Sequence, residues 1–221
     1  MHFKLSPSSL GLMKDCPRCF WLDKHKIWQR PSGIFPSLPN GMDSILKKHF
    51  DAFRDRKQLP PELLKGNGCG GMRLFGDNAE EKELIKAWRD NLKGIKFIDK
   101  YGNILVGAVD NILVEDNKLI VLDYKTRGFP LKDNTHEYYQ DQLDIYNFLL
   151  RMNYFDTEDY SFLLFYIPQN VLESGEIIFD NKLIKMKTSA ENGEKLFRKA
   201  LKVLYGECPS DRCNWCEFVE G

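Results

Sequence analysis

Two pairs of cysteines with the same spacing lie far apart in this 221-residue chain. Cys16 and Cys19 form the first CxxC pair, and Cys213 and Cys216 form the second. Two such pairs are typical of a site in which four thiolates bind one metal centre. If all four bind together, the segments that carry them must meet in the fold, so the pattern restricts the topology of everything between them.

The other two cysteines leave the ligand set open. The symmetric two-pair set is preferred, with Cys208 as the competitor of Cys19 for the fourth position, whereas Cys69 stands alone in a glycine-rich turn. Cys69 is predicted to be a small buried apolar residue. The spacing alone does not distinguish an iron–sulfur cluster from zinc. We expect a structural role, because no cysteine is adjacent to the carboxylates described below.

Composition restricts the class of protein. The 32 basic and 32 acidic side chains balance, and 43% of the residues are hydrophobic, which excludes a disordered or coiled-coil chain. The apolar run over 162–167 ends at Pro168 and is too short to span a membrane. Without an apolar signal core, the expected location is cytoplasmic and reducing. The charge balance argues against a broad basic surface for nucleic acid but permits a local basic groove.

The hydrophobic pattern predicts an α/β fold in which helices flank a central mixed sheet. Helices are predicted for the first segment, which begins at Ser6, and over about 42–56, 80–92, 137–152 and 188–205. Strands are predicted over 95–98, 104–114, 119–124, 162–167 and 176–186. Because short turns join the first three strands, these are expected to form an antiparallel meander.

Three local predictions accompany this pattern. The segments 36–41 and 66–71 are rich in proline or glycine and are predicted to be irregular. Thr188 and Glu191 are predicted to form a capping box for the last long helix. Gly206 is predicted to end that helix.

The predicted central strands carry the residues with the clearest chemistry. Asp110 lies on the second strand, and Asp123-Tyr124-Lys125 ends the third. Asp123 and Lys125 share one face of their strand, and an antiparallel neighbour can bring Asp110 beside them. Two carboxylates form a site for a hard divalent cation such as Mg²⁺ or Mn²⁺, and a lysine can stabilise a phosphate or orient a water. The set predicts metal-assisted phosphodiester hydrolysis, although a lone D-x-K triplet is more often a solvated strand end.

The next predicted helix completes a pattern. Gln142 and Tyr146 lie four residues apart and share one helical face. Together with residues 107–110 and 123–125, this helix resembles the PD-(D/E)XK nuclease superfamily, most closely its RecB-like and Cas4-like branch. The segment 6–10 followed by Cys16-Pro17-Arg18-Cys19 is similar to the opening of the iron–sulfur members.

The resemblance implies a fold, an activity and cofactors. Residues 1–221 would form a single domain with a restriction-endonuclease-like core, and segments of about 6–30 and 206–221 would form the cysteine site. That site would hold a [4Fe–4S] cluster, with zinc as the alternative. The activity would be Mg²⁺- or Mn²⁺-dependent DNA cleavage, as an exonuclease on DNA ends or single strands. The pathway would be DNA repair, recombination or CRISPR adaptation.

The resemblance also implies a third metal ligand on a helix ahead of the sheet. Such nucleases place a His or Glu there after a glycine, and the matching segment here is 40–45. Asp43 is the candidate, and His49, almost two turns further on, is a weaker one. Asp43 is equally well explained as an acidic residue near a helix N-terminus, where the dipole favours it. Both interpretations stay open.

Nucleic-acid contacts are expected next to the carboxylates. The resemblance places Gln142 and Tyr146 along the DNA path, and Arg127 follows the lysine and is expected to contact a phosphate. Basic and aromatic residues also alternate over 14–30, which suits single-stranded DNA, although the aromatic ones are better explained as core. The alternative to a nuclease is a non-catalytic DNA-binding module that keeps the fold and the iron–sulfur or zinc site.

Overall fold

Two sheets form the centre of the computed structural model, which describes residues 1–33, 36–65 and 68–220, with side chains as far as residue 217. The strands are β1 (Lys4–Leu5), β2 (Arg73–Leu74), β3 (Ile95–Ile98), β4 (Ile104–Gly107), β5 (Asn111–Glu115), β6 (Lys118–Thr126), β7 (Tyr160–Val171) and β8 (Ile177–Lys187). The larger sheet has the order β2-β5-β6-β7-β8 and is mixed, because β6 and β7 are parallel while its other pairs are antiparallel. The smaller sheet has the order β1-β4-β3.

Helices cover both faces of the larger sheet. They are α1 (Pro7–Asp15), α2 (Pro17–Lys24), α3 (Ser37–Asp55), α4 (Pro61–Leu64), α5 (Ala79–Trp88), α6 (Gln140–Met152), α7 (Ala190–Tyr205) and α8 (Asn214–Glu220). A 3₁₀ turn over Thr135–Tyr139 leads into α6. The predicted α/β architecture, with a mixed sheet between helices, is therefore confirmed.

Neighbouring residues of β6 point into two different cores. Val121 lies in a cluster with Leu149 of α6, whereas Leu122 lies in a second cluster with Phe50 of α3. This alternation is the period-two pattern of a strand buried on both faces. The α6 helix in turn packs closely on α7, where a Cβ at Gly193 would lie 2.6 Å from the Asp144 carbonyl oxygen. The α6 helix, which follows β6 in the chain, is thus packed between the larger sheet and α7.

The strand predicted over 104–114 is broken into two. The β4 strand ends at Gly107, and β5 begins at Asn111 in the other sheet. Between them the Val109 N–H donates to the Trp88 carbonyl at 3.2 Å and not to a strand partner. The antiparallel pairings expected of the meander, β3 with β4 and β5 with β6, are present, but they belong to two sheets.

Two local predictions are wrong for identifiable reasons. The α3 helix begins at Ser37, so the described part of 36–41 is mostly helical. Pro39 is tolerated there because the first-turn N–H groups have no partner inside the helix. The α7 helix is capped by Ser189, whose hydroxyl accepts the Asn192 N–H at 3.1 Å, because the Thr188 hydroxyl accepts the side-chain amide of Asn147 instead.

Other local predictions have mixed outcomes. Gly206 is the C-cap of α7, as predicted. In the predicted turn over 66–71, residues 66 and 67 lie outside the described residues, and Gly70 and Gly71 form a turn. Within the described ranges, the helices are all too short or too polar to cross a lipid bilayer.

Candidate functional site

The break between β4 and β5 brings two carboxylates together. Asn111 pairs with Leu122 across the antiparallel ladder, so the same register sets Asp110 opposite Asp123. The Tyr124 N–H donates to Asp110 Oδ2 at 3.0 Å, which fixes that carboxylate against β6. The sequence predicted this juxtaposition from the short turn between the strands.

Burial and proximity disfavour a second negative charge at this position. Burial, followed by the charge on Asp123, raises the pKa of Asp110 to about 7. Burial likewise raises the pKa of Asp123, although the Lys125 ammonium opposes that shift. Two carboxyl groups whose ionisation is opposed in this way accommodate a cation readily, because the cation compensates both charges.

Lys125 is connected to Asp123 and to α6. Its Nζ lies 2.6 Å from Asp123 Oδ2 and donates to Gln142 Oε1 at 3.1 Å. The Gln142 amide then donates to the Tyr146 hydroxyl at 2.7 Å. Burial alone would lower the pKa of Lys125, but the neighbouring carboxylates outweigh burial and raise it, so the ammonium stays charged. All five residues predicted for this part of the site lie in one connected group.

The donor set fits a hard divalent cation. Asp123 Oδ2 is buried, and in the described part of the chain it accepts no hydrogen bond of acceptable geometry despite its short contact with Lys125. Lys125 compensates one of the two buried carboxylates, and a divalent cation would compensate the negative charge that remains. Carboxylate oxygens are also the ligands that Mg²⁺ and Mn²⁺ prefer.

The two candidates for a third ligand are placed differently. Asp43 lies on α3 near the pair, since its charge contributes to raising the pKa of Asp123. Its carboxylate is bonded to Lys47 at 2.8 Å. His49 lies two turns further along α3, where its Nε2 contacts Glu62 Oε1 at 2.9 Å. Of the two, Asp43 is therefore the candidate with an electrostatic effect on the carboxylate pair.

The predicted nucleic-acid contacts differ in accessibility. Arg127 is partly exposed just beyond β6, and its N–H donates to the Tyr166 carbonyl at 3.0 Å. Tyr146 is only 4% exposed and lies behind Gln142. Any influence of Tyr146 on a substrate therefore passes through Gln142.

The basic residues of the N-terminal segment are largely engaged within the protein. Lys14 pairs with Asp141 at 2.5 Å, Arg18 donates to the Pro209 carbonyl at 2.9 Å, and Arg30 pairs with Asp15. Phe20 is completely buried. The structural interpretation of the aromatic residues in this segment fits that burial.

Four cysteine sulfurs meet where the two CxxC pairs come together. Cys16, Cys19, Cys213 and Cys216 have all their sulfurs within 4.8 Å of one another. Four of these distances are 3.7 Å (16–216), 3.5 Å (19–213), 3.3 Å (19–216) and 3.8 Å (213–216). The cluster joins α2 to α8, as the paired spacing predicted.

The thiols of the cysteine cluster differ in how readily they ionise, since burial raises the pKa of Cys19 and Cys216 but Cys213 is shifted the other way. Arg30 donates to Cys213 Sγ at 3.3 Å. Burial opposes ionisation of Cys213, but backbone N–H groups from Trp215 and Cys216 and the nearby thiols lower its pKa to about 6. Cys208 is outside the cluster, and its sulfur accepts a hydrogen bond from Arg18 at 3.3 Å. Cys69 is fully buried in the core against α3. The four clustered thiols have the chemistry of a metal site.

Comparison with known proteins identifies the family. The profile of the PD-(D/E)XK nuclease superfamily matches residues 4–220. The chain belongs to this superfamily. Among solved structures, the crystal structure of SSO0001 is similar with a TM-score of 0.46 and 14% identity, over 100% of this chain and 86% of that one. A search of curated proteins finds no match.

Membership of the PD-(D/E)XK superfamily indicates the general class of activity to which the site belongs. Its members are generally nucleases that act on nucleic acid and typically use Mg²⁺ or Mn²⁺. Asp123 and Lys125 of this PD-(D/E)XK protein lie on β6, whereas Asp110 lies just before the neighbouring strand β5 and not on a strand as predicted. The cysteine cluster is a separate centre that could bind a metal.

Sequence reasoning missed two cations beside this PD-(D/E)XK site. Arg89, just after α5, donates from Nε to the Asp110 carbonyl at 2.7 Å. Lys47 bonds to Asp43 and acts electrostatically on Asp110. The four-residue spacing between Asp43 and Lys47 is a signal for their pairing. No comparable local signal exists for Arg89, because its contact depends on how α5 packs against the broken strand.

Proposed function

We propose that this protein is a metal-dependent deoxyribonuclease that acts on DNA ends or single strands. The observation that carries the proposal is the buried pair Asp110 and Asp123 with Lys125 beside them. This combination binds a cation and a phosphate at the same point. By resemblance to the RecB-like and Cas4-like branch, the action is exonucleolytic and serves repair, recombination or CRISPR adaptation.

Asp110 and Asp123 would hold Mg²⁺ or Mn²⁺, with Asp43 as the candidate third carboxylate. When bound, the metal supplies a water of lowered pKa and neutralises charge that develops on the phosphate. Asp43 is bonded to Lys47 through Oδ2 in this structure, so Lys47 would lie next to a metal that Asp43 helps to hold.

Lys125 is proposed to stabilise the attacked phosphate or to orient the attacking water. Its ammonium is fixed between Asp123 and Gln142 and remains protonated, so it offers a positioned positive charge. Gln142 holds the ammonium from the other side and is partly exposed. Tyr146 orients the Gln142 amide from a buried position. Tyr146 is thus proposed as a positioning residue, and Arg127 as a contact to a phosphate outside the site.

A cleavage assay tests the proposal. Labelled single- and double-stranded DNA is incubated with Mn²⁺ and wild type, Lys125→Ala or Lys199→Ala, the last being an exposed lysine on α7. We expect cleavage by wild type and Lys199→Ala and a loss of about a hundredfold or more in Lys125→Ala. Equal cleavage by all three would show that the active site has been assigned to the wrong residues.

Asp110→Asn serves as a second variant, because Lys125→Ala is open to a structural explanation. Removing Lys125 leaves Asp123 buried without its ion pair, which can affect folding. Asp110→Asn removes one negative charge and leaves the ion pair between Asp123 and Lys125 intact. DNA binding by a folded wild type that cleaves neither substrate with Mg²⁺ or Mn²⁺ would favour the non-catalytic module instead.

For the cysteine cluster we propose a single structural zinc ion. Bonds of about 2.3 Å to a tetrahedral zinc place the four sulfurs about 3.8 Å apart. Four of the six sulfur–sulfur distances are 3.3–3.8 Å and all six lie within 4.8 Å, which supports that arrangement. A [4Fe–4S] cluster, which the resemblance implies, binds each cysteine to a different iron and so needs a wider spacing.

A further inference from the structure

A charged cavity lies between α3 and α5, beside the carboxylate pair. Its volume is about 580 Å³. Five cationic side chains line it, together with three acidic ones, so its formal charge is positive. Lys47 and Arg89, both linked to the Asp110 region as described above, belong to this lining. The cavity therefore adjoins the proposed reaction site.

Two of the arginines in this cavity share one carboxylate. Asp51 Oδ1 accepts hydrogen bonds from Arg54 and from Arg89, the latter at 2.6 Å. Arg54 is buried and held by the Phe75 carbonyl at 2.7 Å and by Asn111 Oδ1 at 2.5 Å. Two guanidinium groups with one counter-ion leave an excess positive charge, which is costly in a partly desolvated position.

Arg89 has an unsatisfied donor at the same place. Its side chain is only 10% exposed, and its second terminal nitrogen, Nη2, is buried without a hydrogen-bond partner in the described part of the chain. The other two nitrogens are used, by the Asp110 carbonyl and by Asp51. A buried guanidinium nitrogen with no acceptor is explained when an anion binds next to it.

The remaining acidic residues do not neutralise the cavity. Asp55 is paired with Lys82 at 2.7 Å, and Asp90 accepts the N–H groups of Leu92 and Lys93. Lys86 is exposed on α5 and makes no ion pair within the described residues. Lys86 and Nη2 of Arg89 are thus the positive groups of this cavity that lack an anionic partner within the described residues.

We infer that the cavity between α3 and α5 binds a backbone phosphate of the DNA. This phosphate is the neighbour of the phosphate at which the strand is cleaved. This inference rests on the proposed nuclease function and names a substrate position for it. Arg89 joins the two positions, because it donates to the Asp110 carbonyl from one nitrogen while another is left for the phosphate. Lys86 adds a second charge from the rim. The geometry suits positioning of a strand and carries no base recognition.

DNA binding in EDTA tests this inference without cleavage. A fluorescein-labelled single-stranded oligonucleotide is titrated with wild type, Lys86→Glu, Arg89→Lys or Lys199→Glu, with anisotropy as the readout at several salt concentrations. Lys199 is the matched control, an exposed helical lysine on α7. We expect about tenfold weaker binding and a smaller salt dependence for Lys86→Glu, and no change for Lys199→Glu. Arg89→Lys keeps the positive charge but loses the planar guanidinium with its several N–H donors, so we expect this variant to bind DNA more weakly too.

The outcomes separate this inference from the proposed function. If Lys86→Glu and Arg89→Lys bind DNA as wild type does while wild type cleaves DNA, the phosphate position is wrong and the nuclease assignment stands. If wild type binds DNA and the two variants bind less, but wild type cleaves nothing, the phosphate position stands and the nuclease assignment is wrong. If Lys199→Glu weakens DNA binding as much as Lys86→Glu does, the loss of affinity follows from net charge alone, and the inference is overturned.

Discussion

The ring of Tyr146 lies directly against the backbone of Gly107. A Cβ at residue 107 would be 2.7 Å from Tyr146 Cε1 and 2.9 Å from Leu149 Cδ1. Gly107 is the last residue of β4, and Tyr146 belongs to the helix that positions Gln142 against Lys125. The end of one strand therefore sets how closely the α6 helix approaches the carboxylates.

Gly107→Ala should move α6 away from the site. The added methyl group overlaps ring and side-chain atoms in a packed core, so we expect a loss of about 1–3 kcal/mol in the free energy of unfolding. Cleavage should fall as well, because Gln142 loses its contact with Lys125. Urea denaturation and the DNA assay measure the two effects. Gly11→Ala is the control, since a Cβ there meets nothing within 4 Å. Unchanged stability and activity in Gly107→Ala would contradict the close contact.

Asp110→Asn should abolish cleavage while stabilising the metal-free protein. The pKa of Asp110 is raised to about 7 by burial and by Asp123, so its ionised form disfavours folding at pH 8. Replacing it with Asn removes that penalty, and we expect about 2 kcal/mol of added stability in EDTA. Thermal unfolding with and without Mn²⁺ checks this. Wild type should be stabilised by Mn²⁺ and the variant should not. An equal Mn²⁺ shift in both proteins would remove Asp110 from the metal site.

Glu81 should make stability depend on acid pH. The Arg73 guanidinium and the N–H groups of Gly76 and Asp77 outweigh burial and hold the pKa of Glu81 at about 2, below its ordinary value of 4.5. The stability from this group is complete above the ordinary pKa and is lost as pH falls towards the folded value. We expect wild type to lose about 1–2 kcal/mol from this source between pH 6 and pH 2, with allowance for solvent screening. Glu81→Gln should show a flatter profile in urea denaturation, and parallel profiles would refute the assignment.

The cysteine site should depend on four thiols and not on the other two. We expect Cys16→Ser to lose bound metal and to unfold at lower temperature, because the ligand set becomes incomplete. Cys208→Ser should retain the metal, since its sulfur is outside the cluster. Elemental analysis of anaerobically purified protein should give zinc at one ion per chain. Iron and sulfide in place of zinc would support the cluster that the family resemblance implies.

Short-range patterns predicted most of the candidate site. The tight turn between β5 and β6 was enough to place Asp110 opposite Asp123, and the spacing of Gln142 and Tyr146 was enough to place them on one helical face. The spacing of the cysteines indicated that the two CxxC pairs would meet. Such features depend on neighbours within a few residues or on a repeated motif, and both are visible in a single sequence.

Features that arise from packing between distant elements could not be predicted. A ring of α6 lies where a side chain at residue 107 would be, and Arg89, just after α5, reaches the Asp110 carbonyl ahead of β5. The paired guanidinium groups of Arg54 and Arg89 come from helices that are far apart in sequence. Similarly, the cap of α7 moved by one residue because Asn147 engages Thr188. Each of these needs three-dimensional neighbours that periodicity does not specify.

The cysteine cluster also bears on the order of folding. Cys19 and Cys213 are 194 positions apart, so bringing them together closes a very long loop and is entropically expensive in an unfolded chain. Folding of the intervening sheets and helices offsets that cost, because it holds the two cysteine-bearing segments close together. If a metal binds the four sulfurs, the fraction of protein with bound metal would report how many molecules have these distant segments joined.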